Sequence, residues 1–171
     1  MTKAIRMYET GGPEVLRWEE DDPGKPGTGE ALVRHEAVGL NFIDVYHRTG
    51  LYPLPSLPAV PGLEGAGIVE EIGEGVSEIA VGDRVDYAGI PPGAYAEFRI
   101  IPAHRLVKLP DGISTSQGAA MMLQGMTARY LLKGCYDVKK GDVILIHAAA
   151  GGVGSIVCQW ASHLGATVIG T

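Results

Sequence analysis

The sequence predicts a mixed α and β protein in which a β-rich part precedes a single strand-helix-strand unit. Three observations lead to this fold class. Short stretches of strand character, separated by turn signals, recur through about the first 110 residues. Helical periodicity replaces them after Ser114. The stretch 143–171 contains no Asp, Glu, Lys or Arg and combines a buried-strand pattern, a glycine-rich loop and an amphipathic helix.

The β-rich part begins with a predicted hairpin whose turn contains Gly11-Gly12-Pro13. A short helix is predicted over 41–48 and ends before Gly50. Turn signals separate the remaining strands at intervals that are typical of partly closed β-barrels. The predicted strands cover residues 3–8, 15–19, 31–38, 68–72, 84–87, 94–100 and 106–109.

Two helical stretches connect this part to the last one. Residues 114–117 can cap a helix that runs through Met122, and residues 127–132 continue with helical character. The following strand, Val143–Ile146, is continuous and β-branched, which is typical of a strand buried on both faces. A second strand begins at Thr167, after the amphipathic helix.

The glycine-rich loop has the pattern A-x-G-x-x-G, formed by Ala149, Gly151 and Gly154. In this pattern Gly151 lets the backbone approach a pyrophosphate, and Gly154 lets the helix pack closely on the strand. Phosphate oxygens would be bound by the N–H groups of Gly152, Val153 and Gly154 at the positive end of the helix. Because strand, loop, helix and strand follow in the required order, the pattern predicts dinucleotide binding. The alternative is a glycine-rich turn that only packs.

The uncharged run at 143–171 is also long enough for a transmembrane helix, which needs about 20 apolar residues. His147, the glycine-rich loop, His163 and Gly165 interrupt it and argue against one spanning helix. We therefore predict no membrane insertion. The N-terminus has no apolar signal-peptide core, so a cytoplasmic location is expected.

Charge and cysteine content exclude other classes. The net charge of −6 and the absence of a basic patch argue against nucleic-acid binding, which depends on clustered Lys and Arg. Cys135 and Cys158 are far apart and form no C-x-x-C pair. Neither a structural zinc site nor a disulfide framework is therefore indicated.

With these residues placed, the chain resembles the zinc-free quinone oxidoreductases of the medium-chain dehydrogenase/reductase family, the group that includes zeta-crystallin. The resemblance covers essentially all residues. It implies a GroES-like β-barrel domain over 1–122, followed over 123–171 by the first βαβ unit of a Rossmann domain, with the active site in the cleft where the two domains meet. The segments that carry it are GGPEVL (11–16), AVGLNFIDVYHRTGLYP (37–53), PGLEGAGIVEEIG (61–73), VGDRV (81–85), QGMTARYLL (124–132) and HAAAGGVG (147–154).

Departures from the zinc-dependent relatives concern the metal. Those enzymes place Cys near positions 38–40 and His in a Pro-Gly-His-Glu motif. This chain has Val38-Gly39-Leu40 in the first segment and Leu63 in the second. Leucine cannot ligate zinc, so no catalytic metal is expected.

The resemblance implies that Asn41, Tyr46 and Tyr52 are catalytic residues beside the nicotinamide and the substrate. Asn41 would also bind the cofactor, together with Asp44, Thr127 and the loop residues Ala149, Gly151, Gly152, Val153 and Gly154. Without a Lewis acid, hydrogen-bond donors must stabilise the oxygen of a carbonyl that receives hydride, and Asn and Tyr donate without changing charge near pH 7. Considered without the family, the two tyrosines could be packing residues, Asp44 a solvated surface carboxylate, and Thr127 a helix N-cap.

We therefore predict zinc-independent hydride transfer from NADPH to a quinone or another conjugated carbonyl by the parent protein. No acidic residue stands between Gly154 and Thr171, where NAD enzymes bind the ribose, and this favours NADPH. No acid or base is assigned to His35 or His47, because a quinone can take its protons from solvent. Gln124 stands where several family members carry Lys.

Two alternatives stay open. The first is an enone or enoyl reductase of the same family, which would need a Tyr or a bound water to protonate the α-carbon. The second is a non-catalytic fragment or a binding or structural member. Because family members are longer, we expect this chain to be truncated and its parent to be a homodimer, and this stretch alone need not be active.

Overall fold

The computed structural model describes residues 2–171. The chain divides into two compact units, Met1–Ala120 and Met121–Thr171. The first is rich in strands and the second contains a strand-helix-strand unit, so the predicted mixed fold class is confirmed. The predicted domain boundary after residue 122 stays a prediction.

Seven strands and one α-helix form the first unit up to the start of the second helix. The helix, α1, covers Phe42–Thr49. The first two strands pair as an antiparallel hairpin, and the other five form an antiparallel sheet in the order β6-β3-β4-β5-β7. The strands are β1 Thr2–Arg6, β2 Arg17–Asp21, β3 Glu30–Gly39, β4 Glu64–Ile72, β5 Arg84–Ala88, β6 Phe98–Pro102 and β7 Val107–Lys108.

The core of this unit lies on one face of the five-stranded sheet. Side chains alternate between faces along a strand, so Ala31 and Val33 on β3 both enter the core while Leu32 does not. Neighbouring strands contribute the same way, and Val85 and Tyr87 on β5 are almost fully buried. Alternation along β3 therefore gives the sheet a buried face.

One predicted strand is wrong in its position. Residues 94–97 do not continue into a long strand, and β6 begins only at Phe98. The preceding segment hydrogen-bonds elsewhere: Ala94 N donates to Gly62 O, and Tyr95 N donates to Pro61 O. Its backbone groups are satisfied by a distant loop, which local periodicity does not reveal.

The second helix, α2, covers Thr115–Arg129 and continues directly into a π-helical turn, Tyr130–Cys135. The predicted N-terminus is confirmed, because Gln117 N donates to Ser114 Oγ and Ser114 N donates to Gln117 Oε1. The two predicted helical stretches are joined without a break. Gly125 remains in the helix, where no neighbouring atom constrains it.

The strand-helix-strand unit consists of β8 Val143–Ile146, α3 Gly152–His163 and β9 Thr167–Gly170. The two strands pair in parallel, as a crossover through a helix requires. The predicted burial of β8 on both faces is wrong. Ile144 and Ile146 pack in the core of this unit, whereas Val143 is 68% exposed. Within the unit a helix covers only one face of the two-stranded sheet.

Among the described residues, no helix is both long enough and apolar enough to cross a membrane.

A partly buried histidine in β3 makes the first unit sensitive to acid. His35 Nδ1 lies 2.6 Å from Ala96 O, and Nε2 lies 2.7 Å from the Tyr87 hydroxyl. A neutral ring satisfies both contacts, with Nδ1–H donating to the carbonyl and Nε2 accepting from the hydroxyl. Burial lowers the pKa of His35 to about 4, the Ala96 carbonyl opposes this shift, and Arg99 adds to it.

Because the folded-state pKa is below the unfolded value of about 6.5, the unfolded chain binds the proton more readily. The contribution of His35 to stability is therefore complete above about pH 6.5 and is lost as the pH falls toward 4. We expect His35→Gln to flatten the loss of unfolding free energy over this window, measured by urea denaturation. His104→Gln changes an exposed histidine of the same unit and should leave the wild-type slope. An unchanged slope in His35→Gln would contradict this origin.

Candidate functional site

The N-terminus of α1 places the first group of predicted site residues. Asn41 stands at the N-cap, with extended backbone angles of −122° and 151°. Its backbone N–H donates to Asp44 Oδ2 at 2.9 Å, and Asp44 N donates back to Asn41 O at 3.0 Å. Gly50 ends the helix with a φ of 82°, a left-handed conformation that glycine adopts without strain.

Hydrogen bonds from residues outside the helix hold Asn41 and Asp44 in place. Asn41 Nδ2 donates to Glu64 Oε2 at 2.7 Å, and the Tyr95 hydroxyl donates to Asp44 Oδ2 at 2.7 Å. Asp44 is only 4% exposed, so its alternative interpretation as a solvated surface carboxylate is wrong. Burial, and then the hydrogen bond to Asp44, raise the pKa of Tyr95, which keeps this hydroxyl a donor. Among the described residues, Asp44 Oδ1 is buried without a hydrogen-bond partner.

Sequence reasoning missed Glu64 and Tyr95, and it missed a second buried acid, Asp86. Glu64 is 1% exposed and Asp86 is 2% exposed. Burial, and then the negative charge of Glu64, raise the pKa of Asp86 to about 6. The signal was present in the strands: each acid interrupts a run of small or apolar residues, in EGAGIV and RVDYA. A charge inside a buried strand needs a specific partner.

The predicted tyrosines lie together in a cluster of aromatic rings. Tyr46 contacts Phe42 with ring centroids 5.2 Å apart and Tyr52 with centroids 5.1 Å apart, both edge to face. Tyr52 N donates to Tyr46 O at 3.1 Å, which ties the loop to the helix. Phe42 is 71% exposed and Tyr52 is 51% exposed. Packing explains part of this cluster, and its outer surface is accessible to a ligand.

In the second unit, the glycine-rich loop leads into the first turn of α3. Gly151 is the N-cap, and Ser155 N donates to its carbonyl at 2.8 Å as the first intrahelical bond. The N–H groups of Gly152, Val153 and Gly154 therefore have no carbonyl acceptor within the helix. They form an N-terminal donor set at the positive end of the helix dipole. The residues present fit a phosphate group.

Gly154 shows why the loop needs glycine. A Cβ added there would overlap the carbonyl oxygen of Ala148 and lie 2.8 Å from Ala149 Cα. At Gly152 the situation differs, because the atoms nearest to an added Cβ belong to the end of the Gln124 side chain, with Cδ at 2.6 Å. The first position is closed by backbone and the second by a flexible side chain.

Thr127 lies within α2, and its Oγ1 donates to Leu123 O at 2.8 Å. Its alternative interpretation as a helix N-cap is wrong, because the helix begins twelve residues earlier, at Thr115. The structure thus gathers the predicted residues into two groups. Asn41, Asp44, Tyr46 and Tyr52 lie in the first unit, and Thr127 lies in the second with the residues of the glycine-rich loop.

No group of three or more His, Cys, Asp or Glu side chains within residues 2–171 could hold a metal ion. Leu63, at the position where zinc-dependent relatives carry a ligand, is buried. The expected absence of zinc stays a prediction.

Comparison with known proteins identifies the family that this chain is similar to. Residues 27–111 match the alcohol dehydrogenase GroES-like domain. The whole chain is 53% identical to a quinone oxidoreductase from Pseudomonas aeruginosa, of which it covers 53%. It is 48% identical to a 2-haloacrylate reductase from a Burkholderia species, of which it also covers 53%.

A solved structure of similar fold is the Escherichia coli quinone oxidoreductase complexed with NADPH. It matches 98% of this chain with a TM-score of 0.96 and 49% sequence identity, and the match covers 52% of that protein. The chain thus spans about half the length of the relatives it matches. By sequence and by fold, it belongs to the medium-chain dehydrogenase/reductase family and is similar, over its whole length, to the N-terminal part of that family's quinone oxidoreductases.

Proposed function

We propose that this chain is part of an NADPH-dependent quinone oxidoreductase that transfers hydride to its substrate without a metal. The observation that carries the proposal is a similarity to quinone oxidoreductases that extends along this whole chain, at about 50% sequence identity. One of these relatives was solved with NADPH bound. The donor set at the start of α3 supports it independently, because its geometry suits a pyrophosphate.

The glycine-rich loop binds the cofactor in this proposal, through Ala149, Gly151, Gly152, Val153 and Gly154. Gly151 allows close approach, and the N–H groups of Gly152, Val153 and Gly154 donate to phosphate oxygens. Thr127 is assigned to the cofactor on the family resemblance.

Asn41, Tyr46 and Tyr52 form the part of the proposed site where hydride is transferred to the substrate. NADPH supplies the hydride when it is bound. Asn41 and the tyrosines orient the quinone and donate hydrogen bonds to the carbonyl oxygen on which negative charge develops. Asp44 lines the cofactor and, through its hydrogen bonds to Asn41 N and Tyr95, keeps the start of α1 in place.

The remaining expectations belong to the same proposal. A net charge of −6 supports a small-molecule substrate over nucleic acid. The complete protein is proposed to be a cytoplasmic homodimer.

The first test is a titration with NADPH, followed by cofactor fluorescence, on this chain and on the complete reading frame. Quinone-dependent oxidation of NADPH is then measured with and without a metal chelator. We expect saturable binding and turnover by the complete protein that the chelator does not change. Loss of turnover with the chelator would refute the metal-free part, and binding by neither polypeptide would refute nucleotide binding.

A second candidate function is reduction of other conjugated carbonyl compounds. It is favoured by the 48% identity to a 2-haloacrylate reductase. Such a reaction adds hydride to the β-carbon and a proton to the α-carbon, and the proton would come from a tyrosine hydroxyl or a bound water. Turnover of enones or haloacrylates without turnover of quinones would select this candidate.

Removing the Tyr52 hydroxyl tests its proposed role as a hydrogen-bond donor to the substrate. We expect Tyr52→Phe to lower kcat for quinone reduction by about 10-fold to 100-fold. Removing a hydrogen-bond donor to an oxygen on which negative charge develops typically lowers kcat by about 100-fold or more. NADPH affinity should stay within about threefold, since binding of the phosphates is assigned to the glycine-rich loop.

Tyr8→Phe serves as the control, because Tyr8 is also partly exposed and its hydroxyl donates to Glu19. It should leave both quantities unchanged. An equal loss of turnover and NADPH affinity in Tyr52→Phe would mean that Tyr52 is structural.

A further inference from the structure

Glu64 is the most buried acid of the first unit and has a well-defined contact. It begins β4 directly opposite Gly39 on β3 and is 1% exposed. Its Oε2 accepts the hydrogen bond from Asn41 Nδ2 at 2.7 Å. A carboxylate accepts and does not donate, so this contact determines which end of the Asn41 amide faces Glu64.

Close packing keeps the carboxylate in this place. A Cβ added at Gly39 would overlap Glu64 Oε2 and the carbonyl oxygen of Ala119, and would lie 2.7 Å from Glu64 Cδ. The absent side chain at Gly39 thus makes the space that the carboxylate occupies. At its other end Asn41 is held by the bond from its backbone N–H to Asp44.

A neighbouring acid supports the charge state that this contact needs. Asp86, on the adjacent strand β5, has a pKa raised to about 6 by burial and by the charge of Glu64. Because the charge of Glu64 contributes to this shift, Asp86 takes up a proton while Glu64 is still a carboxylate as the pH falls.

We propose that Glu64 is a positioning residue that fixes the orientation of the Asn41 amide. One N–H of Asn41 is committed to Glu64, and the amide then presents its second N–H to a bound ligand in a single orientation. The consequence for hydride transfer rests on the proposed function, whereas the orientation itself does not.

The orientation is tested on this chain by NMR of the Asn41 side-chain amide, assigned by its loss in Asn41→Ala. In the wild-type chain we expect one amide proton shifted downfield and slow to exchange, as for a donor to a buried carboxylate. Glu64→Gln should remove the shift, because a neutral amide can face Asn41 with either end. Fast exchange and no shift in the wild-type chain would overturn the proposal without any variant.

The consequence is tested in the complete protein with a double-mutant cycle on quinone reduction. Asn41→Ala and Glu64→Gln should each lower kcat/KM by about 10-fold to 100-fold, since a small displacement of a catalytic group can have effects of this size. If Glu64 acts through Asn41, the double variant should lose no more than Asn41→Ala alone. Losses that multiply would show that Glu64 acts structurally.

Glu71→Gln is the matched control, because it makes the same change on an exposed residue of the same strand. It should leave the NMR signal and the kinetics at wild-type values. A wild-type protein without NADPH binding or turnover would refute the proposed function, and the NMR result would still decide whether Glu64 orients Asn41.

Discussion

Replacing Gly152 with valine is expected to abolish nucleotide binding while the strand-helix-strand unit stays folded. The new side chain would stand over the N–H groups that open α3 and would keep phosphate oxygens out of their reach. Losing two charge-assisted hydrogen bonds, at about 1.5–3 kcal/mol each, weakens NADPH binding by about two orders of magnitude or more. Folding should be spared because the nearest neighbours of an added Cβ are atoms at the flexible end of Gln124.

NADPH fluorescence titration and circular dichroism measure the two parts of this prediction. Ser162→Val places the same side chain on the exposed far end of α3 and should preserve NADPH affinity. Gly154→Ala should instead disrupt folding of the unit, because its Cβ overlaps backbone at Ala148. Unchanged NADPH affinity in Gly152→Val would leave the loop as a packing turn.

Replacing Gly67 with alanine is expected to destabilise the first unit by about 3 kcal/mol or more. Gly67 lies on β4 opposite His35 on β3, next to a bulge in the pairing. An added Cβ would overlap the carbonyl oxygen of Arg34 and lie 2.9 Å from His35 Cα. These neighbours are backbone in the centre of a sheet, so relief requires the strands to separate, and overpacking of this kind is among the costly substitutions.

Urea denaturation followed by circular dichroism measures the loss. Gly112→Ala is the control in the same unit, because no atom lies near an added Cβ there and its φ is not positive. It should be neutral or slightly stabilising, since alanine restricts the unfolded chain. A Gly67→Ala protein as stable as Gly112→Ala would mean that the β3 and β4 backbones separate at little cost.

The sequence predicted elements whose signals are local. The β1-β2 hairpin, α1 with its stop at Gly50, and the capping box at Ser114 were all recognisable within a few residues. The segment around Tyr95 was not, because its backbone bonds lead to Pro61, more than thirty residues away. Local periodicity cannot report such pairing.

In the candidate site, too, local relationships could be predicted from the sequence and long-range contacts could not. Asn41 and Asp44 share one helix start, so their proximity followed from sequence spacing. Their burial did not, because it depends on Glu64 and Tyr95, which are 23 and 51 positions from their partners. The type of residue predicted a role, and only the fold showed which groups hold these side chains in place.

Helix α1 has only eight residues, and an isolated helix below about 12–15 residues is marginal in water. Its persistence therefore depends on contacts with the rest of the unit, among them the bonds to Glu64 on β4 and to Tyr95 in the segment before β6. Order at Asn41 and Asp44 is for this reason coupled to the cooperative unfolding of that unit. The backbone amides of α1 should therefore exchange their hydrogens in the same cooperative unfolding unit as the strands. Fraying of the helix ends alone should not release Asn41 and Asp44 from their positions.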